Sequence, residues 1–337
     1  MTNSENGKQL GFLIFPGFPM ACLTSAIEPL RAANEITGRR AFGWTVMSED
    51  RGRVVSSAEV VFEAELALAE ARGLDYLFFL SSPAGWFRAP RAAGASLRWL
   101  ARQGVRMGGF SGGIFPLARA GLLGGHACSV HWCYDAAFRA DFPSIDARAE
   151  VMTIDRNRIT AAGATAVFDL MLKLIEDDLG PEVMTEVACW FQHPVVRGPD
   201  VVQRMPGWRE DRTQDTLPQA VAKAIALFST HIEEPLAIAD VADLVGLSAR
   251  QLDRSFRRFT GQAPLRYYRM IRMKQARQLV QFSDESLTAV ALAVGYASST
   301  PMVRHYVEEF GLTPQADRAA RNHFRQKGSG LRHAAQA

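Results

Sequence analysis

The stretch VADLVGLSARQLDRSFRRFTGQAP, Val241 to Pro264, recurs as VALAVGYASSTPMVRHYVEEFGLTP, Val290 to Pro314, displaced by 49 positions at the first valine and 50 at the last proline. One structural unit is used twice. Each copy opens with a helical spacing of apolar residues, closes that run with a glycine (Gly246, Gly295), and offers a serine (Ser248, Ser298) as the next N-cap. A second amphipathic run then ends at Gly261 or Gly311, where a left-handed C-cap is expected. The pattern predicts helix, tight turn, helix in each copy.

The charge pattern gives this duplication a direction. Between Ser248 and Arg277, nine basic residues (Arg250, Arg254, Arg257, Arg258, Arg266, Arg269, Arg272, Lys274 and Arg277) face one acid, Asp253, so the stretch carries +8 in a chain of formal net charge +3. Arginines at this density fit a polyanion partner. A helix-turn-helix places its second helix in the major groove of DNA, so two units joined by a long helix from Pro264 to Gln281 are expected to address adjacent grooves on one face. In the first unit Arg250, Gln251 and Arg254 are expected to face outward while Leu252, Phe256 and Phe259 turn inward. In the second, Ser299, Thr300, Arg304 and His305 are expected outward. Arginine can read guanine with two hydrogen bonds, whereas Arg257, Arg258, Arg269, Arg272 and Lys274 are expected to hold phosphates or acids of the fold.

Upstream, the chain reads differently. Its 337 residues suit two domains, and 48% hydrophobic with 22% charged residues is the composition of a core-forming protein. LGFLIF (Leu10 to Phe15) is a strand followed by a helix over Ala21 to Asn34. Further strands are expected at Gly43–Ser48, Val60–Phe62, Leu74–Leu80, Val105–Phe110, Cys128–Val130 and Val151–Ile154, with helices at Pro90–Arg102, Gly113–Ala120, Tyr134–Ala140 and Ala164–Asp178. Near-continuous apolar strands between amphipathic helices imply an α/β fold, a doubly wound, mostly parallel sheet. The all-α domain follows a linker at 197–216, which is rich in charge and contains Pro199, Pro206 and Gly207. Residues 326–337 are expected to be a disordered tail. No apolar run long enough to span a bilayer and no leader peptide are present, and the four cysteines lack a framework spacing, so a cytoplasmic protein with reduced thiols is expected.

One strand end stands out. VRMGGFSGGIFPLARAGLL, Val105 to Leu123, sets Ser111 between an apolar strand and a helix with glycines at 108, 109, 112 and 113. Such a turn lifts its central side chain to the sheet rim, where it can serve as a nucleophile or, with the Gly112 and Gly113 N–H groups, bind a carboxylate. A nucleophile needs a base and an orienting acid; His131 and Glu28 are the candidates. His126, Cys128, His131 and Cys133 do not match the paired spacing of zinc sites, and no metal or other cofactor is expected. Trp86, Phe87 and Trp132 can box a cation, which with the carboxylate subsite suggests a zwitterionic ligand.

Residues 8 to about 195 resemble the PfpI-like, class I glutamine-amidotransferase-like domain, and the Val105–Leu123 run followed by HACSVHW (His126 to Trp132) resembles the version found in GlxA-type transcription regulators. Residues 217–325 resemble the AraC/XylS DNA-binding domain, through both helix-turn-helix units, the connecting RYYRMIRMKQARQLV and the terminal GLTP. The second unit departs from that pattern at Pro301 and Met302. The resemblance implies a sensing domain over 1–196 and a DNA-binding domain over 217–325. It places the elbow residue on Ser111, the histidine on His131 and the acid on Glu28, with serine in place of the enzymes' cysteine. It also implies a transcription activator, non-enzymatic, working as a homodimer with promoter DNA, RNA polymerase and a small effector such as a betaine, carnitine or amino acid as partners. The alternative is an amidase or hydrolase using Ser111 and His131 with a DNA-binding domain attached.

Overall fold

The computed structural model describes residues 7–193, 195–203 and 218–320. The expected tail at 326–337 and linker positions 204–216 lie outside the described residues. The chain forms two compact units that divide after Gln203.

The first unit runs β1 (Lys8–Ile14), α1 (Met20–Thr37), β2 (Phe42–Ser48), β3 (Arg53–Val55), β4 (Val61–Glu63), β5 (Leu66–Ala67), β6 (Tyr76–Ser81), α2 (Pro90–Arg102), β7 (Arg106–Ser111), α3 (Ile114–Arg119), β8 (Ala127–Ser129), α4 (Asp135–Asp141), β9 (Asp146–Arg148), β10 (Met152–Asp155), β11 (Arg158–Ala161), α5 (Ala164–Leu179) and α6 (Pro181–Trp190). Its main sheet has the order β10-β11-β7-β6-β1-β2-β5 and is parallel except for the β10–β11 pair. The apolar runs explain the centre: every residue of β6 is buried, and so are the last five of β1. Phe12, Phe78 and Phe110 from three neighbouring strands stack through the core, with ring centroids 6.1 and 4.5 Å apart. From β1 the chain moves outward to β2 and β5, then returns to β6 on the other side of β1, so a topological switch falls between β1 and β6. Ligand crevices in doubly wound sheets open at the carboxyl ends of such strands.

Residues 197–203, inside the expected linker, lie against this unit. The Arg197 guanidinium donates to the buried Asp169 carboxylate at 2.7 Å, and Val151 N–H donates to Val201 O at 2.7 Å.

The second unit contains α7 (Gln219–Thr230), α8 (Ile238–Leu244), α9 (Ala249–Thr260), α10 (Pro264–Phe282), α11 (Leu287–Ala293) and α12 (Ser299–Phe310), then a helical turn over residues 314–320. Its first core gathers Val221, Phe228, Val241, Leu252, Phe256 and Tyr268, with Phe228 stacked on Tyr268 at 4.2 Å. The repeat is visible in three dimensions: Leu252 and Phe256 of α9 are matched by fully buried Met302 and Tyr306 of α12. Met302 thus fills a core position, and Pro301 lies in the first turn of α12, where its missing N–H is tolerated. The change in offset has a location. The turn before α9 spans residues 245–248, whereas the turn before α12 spans 294–298, one residue longer.

Gly295 closes α11 at φ +73°, and a Cβ there would lie 2.6 Å from Ile232 O and 2.6 Å from Pro235 Cγ. Gly295→Ala is therefore expected to destabilise the helical unit by about 3 kcal/mol, from left-handed strain and overpacking together, read as a shift of the urea midpoint.

Candidate nucleic-acid interface and effector site

The first recognition helix, α9, is built for exposure of its charges. Ser248 caps it by accepting from Gln251 N–H, while Gln251 Oε1 accepts from Ser248 N–H at 2.9 Å. Gln251, expected as a base reader, therefore has its carbonyl engaged in the cap and only its Nε2 group left for a base edge. Arg250 and Arg254 are exposed, one turn apart, on the face opposite buried Leu252 and Phe256. Arg258 is also exposed and lies over the Phe259 ring at 5.3 Å. Arg257 pairs with Asp253 at 2.8 Å across one turn, an exposed pair that a phosphate can displace.

The remainder of the +8 stretch is partly internal. Arg272 donates to Val294 O at 2.7 Å and Gly295 O at 2.6 Å and stacks over Tyr296 at 4.2 Å. It caps the C-terminal end of α11, where a cation is favoured by the helix dipole, and spends its Nε and one terminal nitrogen on these carbonyls. Arg277 is bound to Asp317 at 2.7 Å. The free basic surface is accordingly smaller than the sequence count, and it is concentrated on α9.

On α12, Thr300 and Arg304 are exposed as expected, and Ser299 is half-buried at its first position. His305 departs from expectation. Its Nδ1 lies 2.8 Å from the Tyr296 hydroxyl, its ring is tilted against Tyr296, and burial together with nearby Arg269 holds its pKa below the ordinary histidine value. It is a neutral, half-buried brace of the longer turn and is not an open base reader.

In the α/β unit, Ser111 ends β7 at φ +53°, in register with Ser81 of β6, and is 7% exposed. The glycines are explained by close approach: a Cβ at Gly113 would lie 1.9 Å from Phe79 O, and one at Gly112 would lie 2.5 Å from Ser81 O. Gly113 N–H already donates to Phe110 O at 2.9 Å, so it does not open toward a ligand. His131 reaches the same rim. Its ring lies within 3.4 Å of where a Gly163 Cβ would be, just beyond β11, the strand beside β7. His131 Nδ1 accepts from Cys133 N–H at 3.2 Å, and burial holds its pKa below the ordinary value, so it is a neutral imidazole. Among the described residues no hydrogen bond joins it to Ser111.

Glu28 is not at this rim. It lies eight residues into α1, about 12 Å along the axis from the helix start, where its carboxylate accepts from Arg31 at 2.9 Å. The expected serine, histidine and acid set is therefore not assembled. Trp86 and Phe87 follow β6 beside the elbow. Phe87 packs edge-on against Phe15 at 5.1 Å, and Trp86, 66% exposed, already carries the Arg119 guanidinium over its ring at 4.2 Å. Arg119 is fixed there by Pro83 O and Gly85 O at 2.8 and 2.9 Å. Trp132 is half-buried, and its ring centroid lies 5.4 Å from that of His131.

Sequence reasoning missed Gln203. Its Oε1 accepts from Trp132 N–H at 2.9 Å, and its Nε2 donates to Val130 O at 2.7 Å. A lone glutamine in a charged stretch carries no periodic signal that would have marked it.

Comparison with known proteins finds relatives along nearly the whole chain. A helix-turn-helix domain model matches residues 241–320. The chain is 33% identical over 320 residues to the HTH-type transcriptional regulator GbdR of Pseudomonas aeruginosa, covering 94% of this chain and 85% of the relative. It is also 33% identical over 315 residues to the HTH-type transcriptional regulator GlxA of Rhizobium meliloti, covering 93% and 96%. A crystal structure of an AraC family transcriptional regulator from Pseudomonas putida is similar at 28% identity and TM-score 0.49, over 55% of this chain and 99% of its own. Among the described residues no helix is long and apolar enough to cross a membrane. Identity at this level along nearly the whole chain, with two helix-turn-helix units behind an α/β domain, makes the protein a member of the AraC family, a DNA-binding transcription regulator of the GlxA and GbdR type.

Proposed function

We infer that the chain is a ligand-responsive activator in which residues 1–196 receive a small zwitterion of the betaine, carnitine or amino-acid kind, without transforming it, and residues 217–325 bind promoter DNA. The observation that carries this reading is Ser111: an elbow hydroxyl at the sheet rim with no base bonded to it among the described residues. Such a hydroxyl is a weak nucleophile but a good donor to a carboxylate. Trp132 and the face of Trp86 not covered by Arg119 offer aromatic surface for an ammonium group, with Phe87 as a wall. The effector acts only by favouring one state of the protein over another. A homodimer is supported by exposed Trp190, Val195 and Val202 on the α/β unit, and an activator also meets RNA polymerase.

Thermal unfolding of the full-length protein with glycine betaine, carnitine and arginine tests the reading. A ligand at about 100 times its dissociation constant adds about 2.7 kcal/mol to the native state. One of the three is expected to raise the Tm of the wild type, and Ser111→Ala is expected to lose most of that shift while staying folded. The hydrolase alternative draws on the left-handed φ of Ser111, a feature of nucleophile elbows. An acyl adduct on Ser111, or turnover of any zwitterionic amide or ester, would establish that alternative and overturn this one.

A further inference from the structure

The last residues of the α/β unit before the connection to the helical unit are held by two clamps of different character. The first is buried. The Asp169 carboxylate, in the core face of α5 and 0% exposed, accepts from Arg197 Nε at 2.7 Å and lies 2.7 Å from His193 Nε2. The second is at the surface. Val201 and Val202 are 37% and 63% exposed and Gln203 is half-buried, so little apolar burial holds Val201–Gln203 down. Hydrogen bonds hold it instead: Val151 N–H to Val201 O at 2.7 Å, Gln203 N–H to Ala149 O at 2.9 Å, and an antiparallel bridge between Glu150 and Val202.

The Gln203 carboxamide completes this docking, and its partners are informative. Oε1 accepts from Trp132 N–H at 2.9 Å, and Nε2 donates to Val130 O at 2.7 Å and Glu150 O at 3.1 Å. The two residues that flank His131 in the chain are thus both bound by one side chain at the edge of the interdomain connection. A segment held by hydrogen bonds with little apolar burial opens at modest cost, whereas a fully buried carboxylate paired with a guanidinium does not.

We propose that Gln203 is the positioning residue that couples the His131–Trp132 corner to the DNA-binding unit: docking of Val201–Gln203 orders the corner, and release detaches the chain from the α/β unit back as far as Arg197. This rests on the effector reading above for the identity of the signal, and on the hydrogen bonds alone for the existence of the coupling. Linkage makes the effect reciprocal, so a ligand that needs an ordered corner tightens the docking, and docking tightens the ligand. The Asp169 clamp stays closed in both states and fixes where release stops.

The test uses full-length wild type and Gln203→Ala. Hydrogen exchange is expected to speed up about tenfold or more in the variant at amides 130–132 and 149–151, with Asp169-side protection at 193–197 unchanged. Promoter affinity without effector is expected to change roughly fivefold or more, the lower end of ordinary coupling, and the glycine betaine dissociation constant to rise by a similar factor. Unchanged exchange at 130–132 means Gln203 does not hold the corner, and the proposal fails. Faster exchange with promoter affinity and betaine affinity both at wild-type values makes the docking a local structural detail, and the proposal fails equally. If the wild type binds none of glycine betaine, carnitine or arginine while the variant still shifts promoter affinity, the effector reading fails and the coupling stands.

Discussion

Asp317→Ala is expected to remove about 3 kcal/mol from the helical unit and to abolish promoter binding. Asp317 is 5% exposed and accepts from Arg277 Nε at 2.7 Å, Gln281 Nε2 at 2.8 Å and the Tyr306 hydroxyl at 2.8 Å. It therefore ties α10 and α12 to residues 314–320, and its loss leaves a guanidinium and a buried phenol without their acceptor. That penalty is a large share of the ~5–15 kcal/mol that stabilises a typical domain. Five of the six tryptophans, at 44, 86, 99, 132 and 190, lie in the α/β unit, so their fluorescence reports mainly on that unit. Far-UV circular dichroism of the variant in urea is expected to show an early helical transition that tryptophan fluorescence does not follow.

The same carboxylate sets a pH limit. Burial alone would raise its pKa, but hydrogen bonds from Arg277, Gln281 and Tyr306 outweigh burial and bring it below the usual range. A carboxylate depressed in the native state stabilises above its unfolded pKa, about 3.9, and that contribution is lost as the pH falls through the folded value. The helical unit of the wild type is expected to be undisturbed at pH 5 and to weaken below about pH 4. In Asp317→Ala this part of the pH dependence disappears.

The second large effect belongs to α9. The double change Arg250→Ala and Arg254→Ala is expected to weaken promoter binding at least about 30-fold, because each base-edge or phosphate contact by an arginine contributes about 1–3 kcal/mol. Both side chains are exposed, so unfolding behaviour should stay that of the wild type. Arg304→Ala on the less basic α12 is expected to lose less. Titrations at several salt concentrations sort the contacts: a phosphate contact lowers the slope of log K against log salt by about one, while a base contact leaves the slope and alters sequence preference. Less than a threefold loss in the double variant would remove α9 from the role given to it here.

Much of this was legible in the sequence because it rests on period and punctuation. The duplicated unit was readable from Gly246 and Gly295, which share a left-handed φ near +74°, and from the matching inward positions of α9 and α12. The strands at the sheet centre were readable because they are apolar throughout. β11 was not, since it opens on Arg158 and includes Thr160, polar residues buried by tertiary partners: Arg158 donates to Leu122 O, and Thr160 Oγ1 accepts from Ser129 N–H. α6 was missed because it begins at Pro181, directly after Gly180, in what reads as a break between elements.

In the candidate site the elbow was legible as a turn, and the partners of the other residues were not. The place of Ser111 at the end of β7, with its left-handed φ, could be read from the flanking glycines. The acid was misplaced, because one turn too many along α1 carries a residue away from the rim, and Glu28 finds a local partner in Arg31. His305 and Gln251 were given to DNA on the strength of spacing alone. The structure shows each engaged by a short-range partner, Tyr296 and Ser248, that spacing does not reveal. The net charge of the Ser248–Arg277 stretch overstated the free basic surface for the same reason, since Arg272 and Arg277 hold the fold together.

Hydroxyl-radical footprinting of the full-length protein on the DNA upstream of its own gene is the most direct measurement of the account. Two protected segments on one face of the duplex, centred about ten base pairs apart, are predicted for two helices in successive major grooves. Arg250→Ala with Arg254→Ala should erase one of them and leave the other weakened. A single protected segment in the wild type, or protection on opposite faces, would contradict paired reading by α9 and α12.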